Sequence, residues 1–282
     1  MSRRPHLRTQ FIILVLFGDV ITPRGGQVWT ASLLEMLRVL GVSERAARST
    51  LSRMRRKGWF MPGRDGRHSF YTVTPRGRRI LDEGGQRIFE PRRLEWDGRW
   101  HMVVYSLPES KRTLRNDLRK RLTWLGFGRL APGTWISAND RRTEVETLLD
   151  DLDAREYAQL FSGLQLTLGD DREVVGRCWD LKGLNQQYAR FIARWAPAYD
   201  KCTQSLVRGE SLSAAQCFAQ RFWITHEYSP FPRLDPNLPA ALLPGGWLGA
   251  KAAELFKGYR SLLNERSNEF VENTRRGPNG RK

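Results

Sequence analysis

The chain has 282 residues, 40% of them apolar, with a formal net charge of +17 and a pI near 10.6. That much apolar content can build cores and argues against disorder, while the charge calls for a polyanionic partner, felt over about 8 Å in physiological salt. Residues 2–95 hold 19 Lys/Arg against 8 Asp/Glu and residues 96–282 hold 28 against 22, so most of the excess positive charge lies in the first third, as for nucleic acid rather than a membrane. The longest apolar run, Phe11 to Phe17, is far short of the ~20 residues that span a bilayer, and no small-residue cleavage site follows it. A cytoplasmic protein without a membrane partner is expected. Cys178, Cys202 and Cys217 are an odd set without CxxC or a histidine at ligand spacing, and read as buried small side chains rather than a metal site.

In chain order, a first helix is expected from about Ser32 to Leu40, then Gly41-Val42, then Ser43 as N-cap of a helix over Glu44 to Lys57 that Gly58 ends. At 100° per residue Ala47, Leu51 and Met54 share one face of that helix, and Arg45, Arg48, Ser49, Ser52 and Arg56 lie opposite. Trp59 to Arg64 and Arg67 to Val73 read as strands joined by Asp65-Gly66, a two-residue hairpin signature. Thr74 then caps a helix with Pro75 at its first position. Helix, basic helix, hairpin and helix in that order make a winged helix-turn-helix.

Such a basic helix fits the major groove of double-stranded DNA, where arginine can bond guanine bidentately. Arg45, Arg48, Ser49, Ser52 and Arg56 are the expected readers, with Ser43 at the helix start also among the expected DNA-binding residues. Arg53, Arg55 and Lys57 on the helix flanks and Arg64, Arg67 and His68 at the wing tip are expected on phosphates, which position without reading sequence.

From Trp96 to Asp171 the pattern mixes periods. Trp100 to Leu107 is rich in strand formers, and Arg112 to Leu125 is helical until Gly126. Thr134 to Ser137 reads as a strand, Thr143 to Leu152 as a helix, and Tyr157 to Leu168 as one or two closing strands. This is an α+β sandwich of ferredoxin-like type. Helical periods follow over Leu181 to Trp195, Ala214 to Ile224 and Trp247 to Val271, with a Pro-rich link from Ser229 to Gly246. The expected segments are therefore 1–92 (DNA binding), 96–171 (dimerisation or coupling), 172–273 (helical, for effector and dimer) and 274–282 (a flexible basic tail).

Particular strings also match a known family. They include Phe17-Gly18-Asp19, Pro23-Arg24-Gly25-Gly26, Gly41-Val42-Ser43-Glu44-Arg45-Ala46-Ala47-Arg48, Thr74-Pro75-Arg76-Gly77 and Tyr105-Ser106-Leu107-Pro108-Glu109. Further on come Gly126-Phe127-Gly128, Trp135-Ile136-Ser137, His226-Glu227-Tyr228, Asp235-Pro236-Asn237-Leu238-Pro239 and Leu242-Leu243-Pro244-Gly245-Gly246-Trp247. On these the chain resembles the PaaX family of transcriptional repressors of bacterial phenylacetate catabolism. The resemblance implies a homodimer on a DNA operator, released by an aryl-CoA thioester such as phenylacetyl-CoA or another acyl-CoA, and no bound cofactor.

Such an effector needs an apolar wall, for which Trp179, Trp195, Trp223 and Trp247 are candidates, and cations for its phosphates, for which Arg221 and Arg233 are candidates, with His226 alongside. The central segment is also similar to the ferredoxin-like Cas2 fold, whose paired chains hold a catalytic metal on an acidic residue after the first strand. Here that position is Ser106, and a neutral hydroxyl does not replace a carboxylate on Mg²⁺, so a nuclease-type protein is the weaker alternative. Walker, GxGxxG, GxSxG and HExxH motifs are absent, and no enzyme is expected.

Overall fold

The computed structural model describes residues 9–81, 95–210 and 212–275. The chain divides into two compact units, one formed by Met1–Phe89, Phe191–Ser229 and Lys251–Lys282, the other by Glu90–Arg190 and Pro230–Ala250. The boundary expected near Glu90 and the tail beyond Arg275 fall mostly outside the described residues.

In the first unit the apolar run becomes helix α1 (Thr9–Leu16), with Ile12, Ile13 and Leu16 buried, and it continues as one π-helical turn, Phe17–Ile21. Sequence periodicity is too short there to separate a buried helix from a buried strand. Strand β1 (Gln27–Trp29) leads into α2 (Thr30–Val39) and α3 (Glu44–Arg56), then β2 (Phe60–Asp65), β3 (His68–Val73) and α4, helical over residues 75–81. The sheet order is β1-β3-β2, antiparallel throughout.

Between α2 and α3 the chain turns at Gly41, φ +83°, a conformation that favours glycine. Ser43 caps α3 by accepting from the Ala46 amide at 3.4 Å. The hairpin turn lies one residue later than expected: Asp65 pairs with His68, so the two loop residues are Gly66 and Arg67. Gly66 carries φ +55° at the first loop position, where a type II′ turn requires glycine. Thr74 accepts from the Gly77 amide at 3.0 Å and donates its hydroxyl to the Gly58 carbonyl at 2.7 Å, joining both ends of the hairpin to α4. Phe17 stacks on Phe60 at 4.1 Å, so the π-turn anchors the wing's first strand.

The same unit contains most of the C-terminal helices. Helix α8 spans Leu181–Val207, longer than its pattern suggested because it continues through Pro197, a residue that lacks the amide for the bond to Ala193 and usually ends a helix. The next long helix, α9 (Ala214–Tyr228), starts with a capping box of Ser213 and Gln216, and the final helix α11 runs from Gly249 to Arg275. Tyr228 of α9 stacks on Phe256 of α11 at 4.0 Å.

The second unit is the expected ferredoxin-like sandwich. Strand β4 (Trp100–Tyr105), α5 (Arg112–Trp124), β5 (Gly128–Ala131), β6 (Thr134–Ser137), α6 (Arg142–Asp151) and β7 (Ala158–Leu164) follow in order, and the sheet runs β5-β6-β4-β7 with every pairing antiparallel. Val103, Tyr105 and Trp135 on one sheet face meet Leu118, Leu122, Val145 and Leu148 of the two helices. On the other face Trp100 and Ile136 meet Val174 and Val175 of α7 (Asp171–Cys178) and Leu238 and Leu242 beyond the short α10 (Phe231–Leu234).

Two elements here had not been anticipated. Strand β5 is a four-residue edge strand with a register shift, and α7, capped by the Asp170 carboxylate, is too short to show a helical period.

The string Asp235 to Pro239 owes its shape to buried polar contacts. Tyr188 donates its hydroxyl to Asp235 at 2.7 Å, the Asn237 amide donates to the same carboxylate at 2.8 Å, and the Asn139 side chain donates to the Asn237 carbonyl at 3.0 Å. Asn237 itself carries φ +54°. Burial pushes the Asp235 carboxyl above its ordinary value.

A Cβ at Gly77 would fall on the backbone carbonyl of Trp59, which cannot swing aside as a side chain could. Gly77→Ala is therefore expected to destabilise the protein by about 1–3 kcal/mol, the range for overpacking. Urea unfolding checks this: a midpoint unchanged from wild type would show that the hairpin and α4 separate freely.

Candidate nucleic-acid interface

Helix α3 is sharply two-faced. Ala47, Thr50, Leu51 and Met54 are buried, whereas Arg45, Arg48, Ser49, Ser52, Arg53, Arg55, Arg56 and Lys57 are exposed. Few of those cations have an acid nearby. Arg48 is paired with Glu44 at 2.7 Å across one helical turn, both largely in solvent, where such a pair is worth little. Arg53 donates to Thr50 at 3.0 Å, and Lys57 lies 4.9 Å from the Trp59 ring centre. These contacts hold the flank cations near the body of the unit.

At the wing Arg64 and Arg67 are exposed and His68 is half-buried, 6.2 Å edge-on to Trp29. Ser69 donates its hydroxyl to Thr30 at 2.9 Å, fastening β3 to the start of α2. Ser43, Glu44, Arg48, Arg67, His68 and Arg38 all line one concavity of about 830 Å³, so part of the reading helix and part of the wing share a basin. Arg45, Ser49, Ser52, Arg53, Arg56 and Arg64 lie outside it.

The same unit contains a buried ionic cluster that sequence reasoning missed. Asp19, on the π-turn, is paired with Arg221 of α9 at 3.1 Å and with Arg260 of α11 at 2.9 Å, with side-chain exposures of only 6%, 8% and 16%. Burial pulls the Arg221 guanidinium below its ordinary value, an effect the Asp19 carboxylate opposes. Arg260 also donates to the Thr225 hydroxyl at 2.6 Å. The available signal was a lone carboxylate in an otherwise apolar stretch, which needs a partner if buried.

The seven residues expected around an effector do not converge. Trp195, Arg221, Trp223 and His226 are buried in the first unit, and Trp179, Arg233 and Trp247 belong to the second. Trp195 donates its indole N–H to Glu227 at 2.9 Å, His226 packs edge-on against Phe11 at 4.8 Å and beside Trp223, and Arg221 is committed to Asp19. In the second unit Arg233 lies over Trp124 at 5.3 Å and Trp247 meets Tyr188 edge-on at 5.5 Å. Of the seven, Trp179 lines a cavity of about 780 Å³ beside α7 and the start of α8.

Burial raises all three cysteine thiols, Cys178 to about 11, which disfavours the nucleophilic thiolate. Ser106 directly follows β4, its amide donating to the Tyr157 carbonyl at 3.0 Å. Among the described residues no cluster of His, Cys, Asp and Glu is suited to a metal ion, and no helix is long and apolar enough to cross a membrane.

Comparison with known proteins places this geometry in a family. Residues 8–77 match the PaaX-like protein family, residues 93–175 the PaaX protein central Cas2-like domain and residues 179–273 the PaaX-like protein C-terminal domain. The chain is 32% identical over 247 residues to the transcriptional repressor PaaX of Escherichia coli (strain K12), an alignment covering 86% of this chain and 77% of that protein. Among solved structures it is similar to the uncharacterized protein Rv0674 from Mycobacterium tuberculosis, with a TM-score of 0.64, 21% identity and coverage of 94% of this chain and 99% of the other. That second likeness concerns the fold alone.

The ionic cluster carries a stability prediction. Asp19→Ala leaves two guanidiniums facing each other with no anion between them and is expected to cost about 3–5 kcal/mol, as for one partner removed from a buried pair. Arg24→Ala, at a pair whose Glu272 is half in solvent, is expected to cost far less. Denaturant titration of both variants separates the cases, and equal losses would contradict the assignment of Asp19 as the anchor.

Proposed function

The chain belongs to the PaaX family, and from that premise we propose that it is a DNA-binding transcriptional repressor of aromatic-acid catabolic genes, a binding protein and not an enzyme. The observation that carries this is the division of α3 into a buried apolar stripe and an exposed cationic face, beside a wing whose tip presents Arg64 and Arg67. In this reading α3 enters the major groove. Arg45, Arg48, Ser49, Ser52 and Arg56 reach base edges and Ser43 supports the helix start, while Arg53, Arg64, Arg67 and His68 bind phosphate.

Arg48 exchanges its solvent-exposed partner Glu44 for a base, an exchange that costs little because the pair is exposed. The segments divide the work as 1–92 for DNA, 96–171 for pairing and coupling, and 172–273 for the effector. The protein acts as a homodimer on a pseudo-palindromic operator, its two recognition helices one or more helical turns apart, roughly 34–36 Å per turn. An aryl-CoA thioester, phenylacetyl-CoA or a relative, lowers operator affinity. Effector and operator then oppose each other by the same factor in both directions.

Replacing a groove contact and replacing a phosphate contact give different signatures. Arg48→Ala is expected to lose about 1–3 kcal/mol on the cognate operator and much less on random DNA, whereas Arg64→Ala weakens both and lowers the magnitude of the salt slope by about one. Fluorescence anisotropy at several salt concentrations reads both. Equal losses for Arg48→Ala on cognate and random DNA would move that residue to the phosphate class and remove α3 as the reader.

A further inference from the structure

The second unit contains a cavity of about 780 Å³ bounded by α7, the first turns of α8 and the loop through Pro244 and Gly245, a volume in the range of small-molecule sites, roughly 300–1,000 Å³. Its walls combine two chemistries. Val175, Trp179, Leu181, Leu242 and Leu248 supply apolar surface, and Arg172, Arg177 and Lys182 bring positive charge against the single carboxylate of Asp180. That carboxylate accepts from the Gly183 amide at 2.8 Å. Arg177 and Lys182 are exposed, and Arg172 donates to the Ala241 carbonyl at 3.3 Å.

The cavity is held open from both sides. Trp179 is fixed by its N–H on the Gly126 carbonyl at 3.3 Å and by stacking near Trp100 at 6.4 Å. Asn185 grips the opposite loop, donating to the Gly246 carbonyl at 3.2 Å and accepting from the Leu248 amide at 2.8 Å.

Two glycines in the lining make the case specific. Gly176 lies inside α7, where glycine weakens a helix against alanine, yet its φ is not left-handed and a Cβ there would meet nothing within 4 Å. Gly245 is likewise unforced, whereas its neighbour Gly246 does take a positive φ of +72°. The fold requires no glycine at 176 or 245. A ligand lying against these backbones would.

We propose that this cavity is a binding site for a CoA thioester, its phosphates held by Arg172, Arg177 and Lys182 and its acyl group lodged against Trp179 and the apolar wall. The assignment rests on the effector reading above for the identity of the ligand, and on the cavity for its location. Burial raises the one thiol in the lining, Cys178, to about 11, which disfavours the thiolate that would attack a thioester.

Calorimetric titration of the full chain with phenylacetyl-CoA, free CoA and phenylacetate, in the absence of DNA, tests the location. Wild type is expected to bind the thioester most tightly, free CoA more weakly and phenylacetate least. Lys182→Glu, on the exposed rim, is expected to weaken the thioester and free CoA at least tenfold. Gly176→Leu, which fills the cavity, is expected to weaken the thioester at least tenfold, and both variants should hold operator DNA within twofold of wild type. Thioester affinities in both variants within twofold of wild type would overturn the site. If the thioester binds and both variants weaken it, but operator affinity is the same with and without ligand, the cavity stands and the repressor-release reading falls.

Discussion

A carboxylate removed from water among two arginines is the contact on which the first unit depends. Asp19 belongs to the segment that opens the winged helix, and Arg221 and Arg260 belong to helices that begin some two hundred residues later in the sequence. Desolvating those groups is expensive, and it is offset only when the geometry is close and the remaining donors are satisfied. The first is met by the 2.9 and 3.1 Å pairs, and the second in part, since the Arg221 Nε has no hydrogen-bond partner among the described residues. Arg260 spends a second nitrogen on the Thr225 hydroxyl, and Thr225 in turn donates to the Arg221 carbonyl at 2.8 Å. The π-turn at Phe17–Ile21 fits this need, because one additional residue in a helical turn changes the direction in which Asp19 projects relative to a regular α-helix.

A second, more exposed set of contacts ties the far end of α11 to the winged helix. Arg24 donates to the Asn268 side chain at 2.7 Å and to the Glu272 carboxylate at 3.0 Å, and Arg275 returns a bond to the Arg24 carbonyl at 3.0 Å. Ser32, buried in the first turn of α2, donates its hydroxyl to the Thr274 carbonyl at 2.7 Å. The last carbonyls of any helix lack partners within it, and here α2 supplies one. The helix that precedes the candidate reading helix is thus fixed by the end of the chain's last described helix, so the winged helix and the C-terminal segment share one unit through direct hydrogen bonds.

The local chemistry was legible in the sequence wherever one residue decides one conformation. Ser43 and Thr74 as caps, Gly41, Gly58 and Gly126 as helix ends, and the stripe Ala47, Leu51, Met54 all follow from rules acting over a few residues. The hairpin was misplaced by one position because Asp65-Gly66 and Gly66-Arg67 both fit a two-residue turn, and cross-strand register decides between them. Strand β5, α7 and the part of α8 beyond Pro197 were not legible, since each is held by tertiary contacts: Gly128 lies against Trp179, and Val174 and Val175 are buried on the sheet. The candidate effector residues failed to converge for a related reason. Tryptophan count marks apolar surface without indicating which core it fills, and the cations lining the second unit's cavity are ordinary-looking side chains on a short helix and a helix start.

A division of labour follows between the strings that make the chain recognisable and the residues proposed to bind. His226-Glu227-Tyr228 is distinctive, yet each member turns to a different neighbour: His226 to Phe11, Glu227 to Arg194 at 3.1 Å and to Trp195, Tyr228 to Phe256. Asp235 to Pro239 is equally distinctive and is taken up by Tyr188 and Asn139. Such positions tolerate few alternatives, because each side chain must match a particular shape and hydrogen-bond partner in a dense interior. The arginines of α3 and the wing face solvent, and phosphate will accept any nearby cation, so their pattern is common to many basic helices. Recognition of the chain therefore rests on its scaffold, whereas what it reads and senses depends on where that scaffold holds a few unremarkable arginines and lysines, and on which backbones it leaves bare.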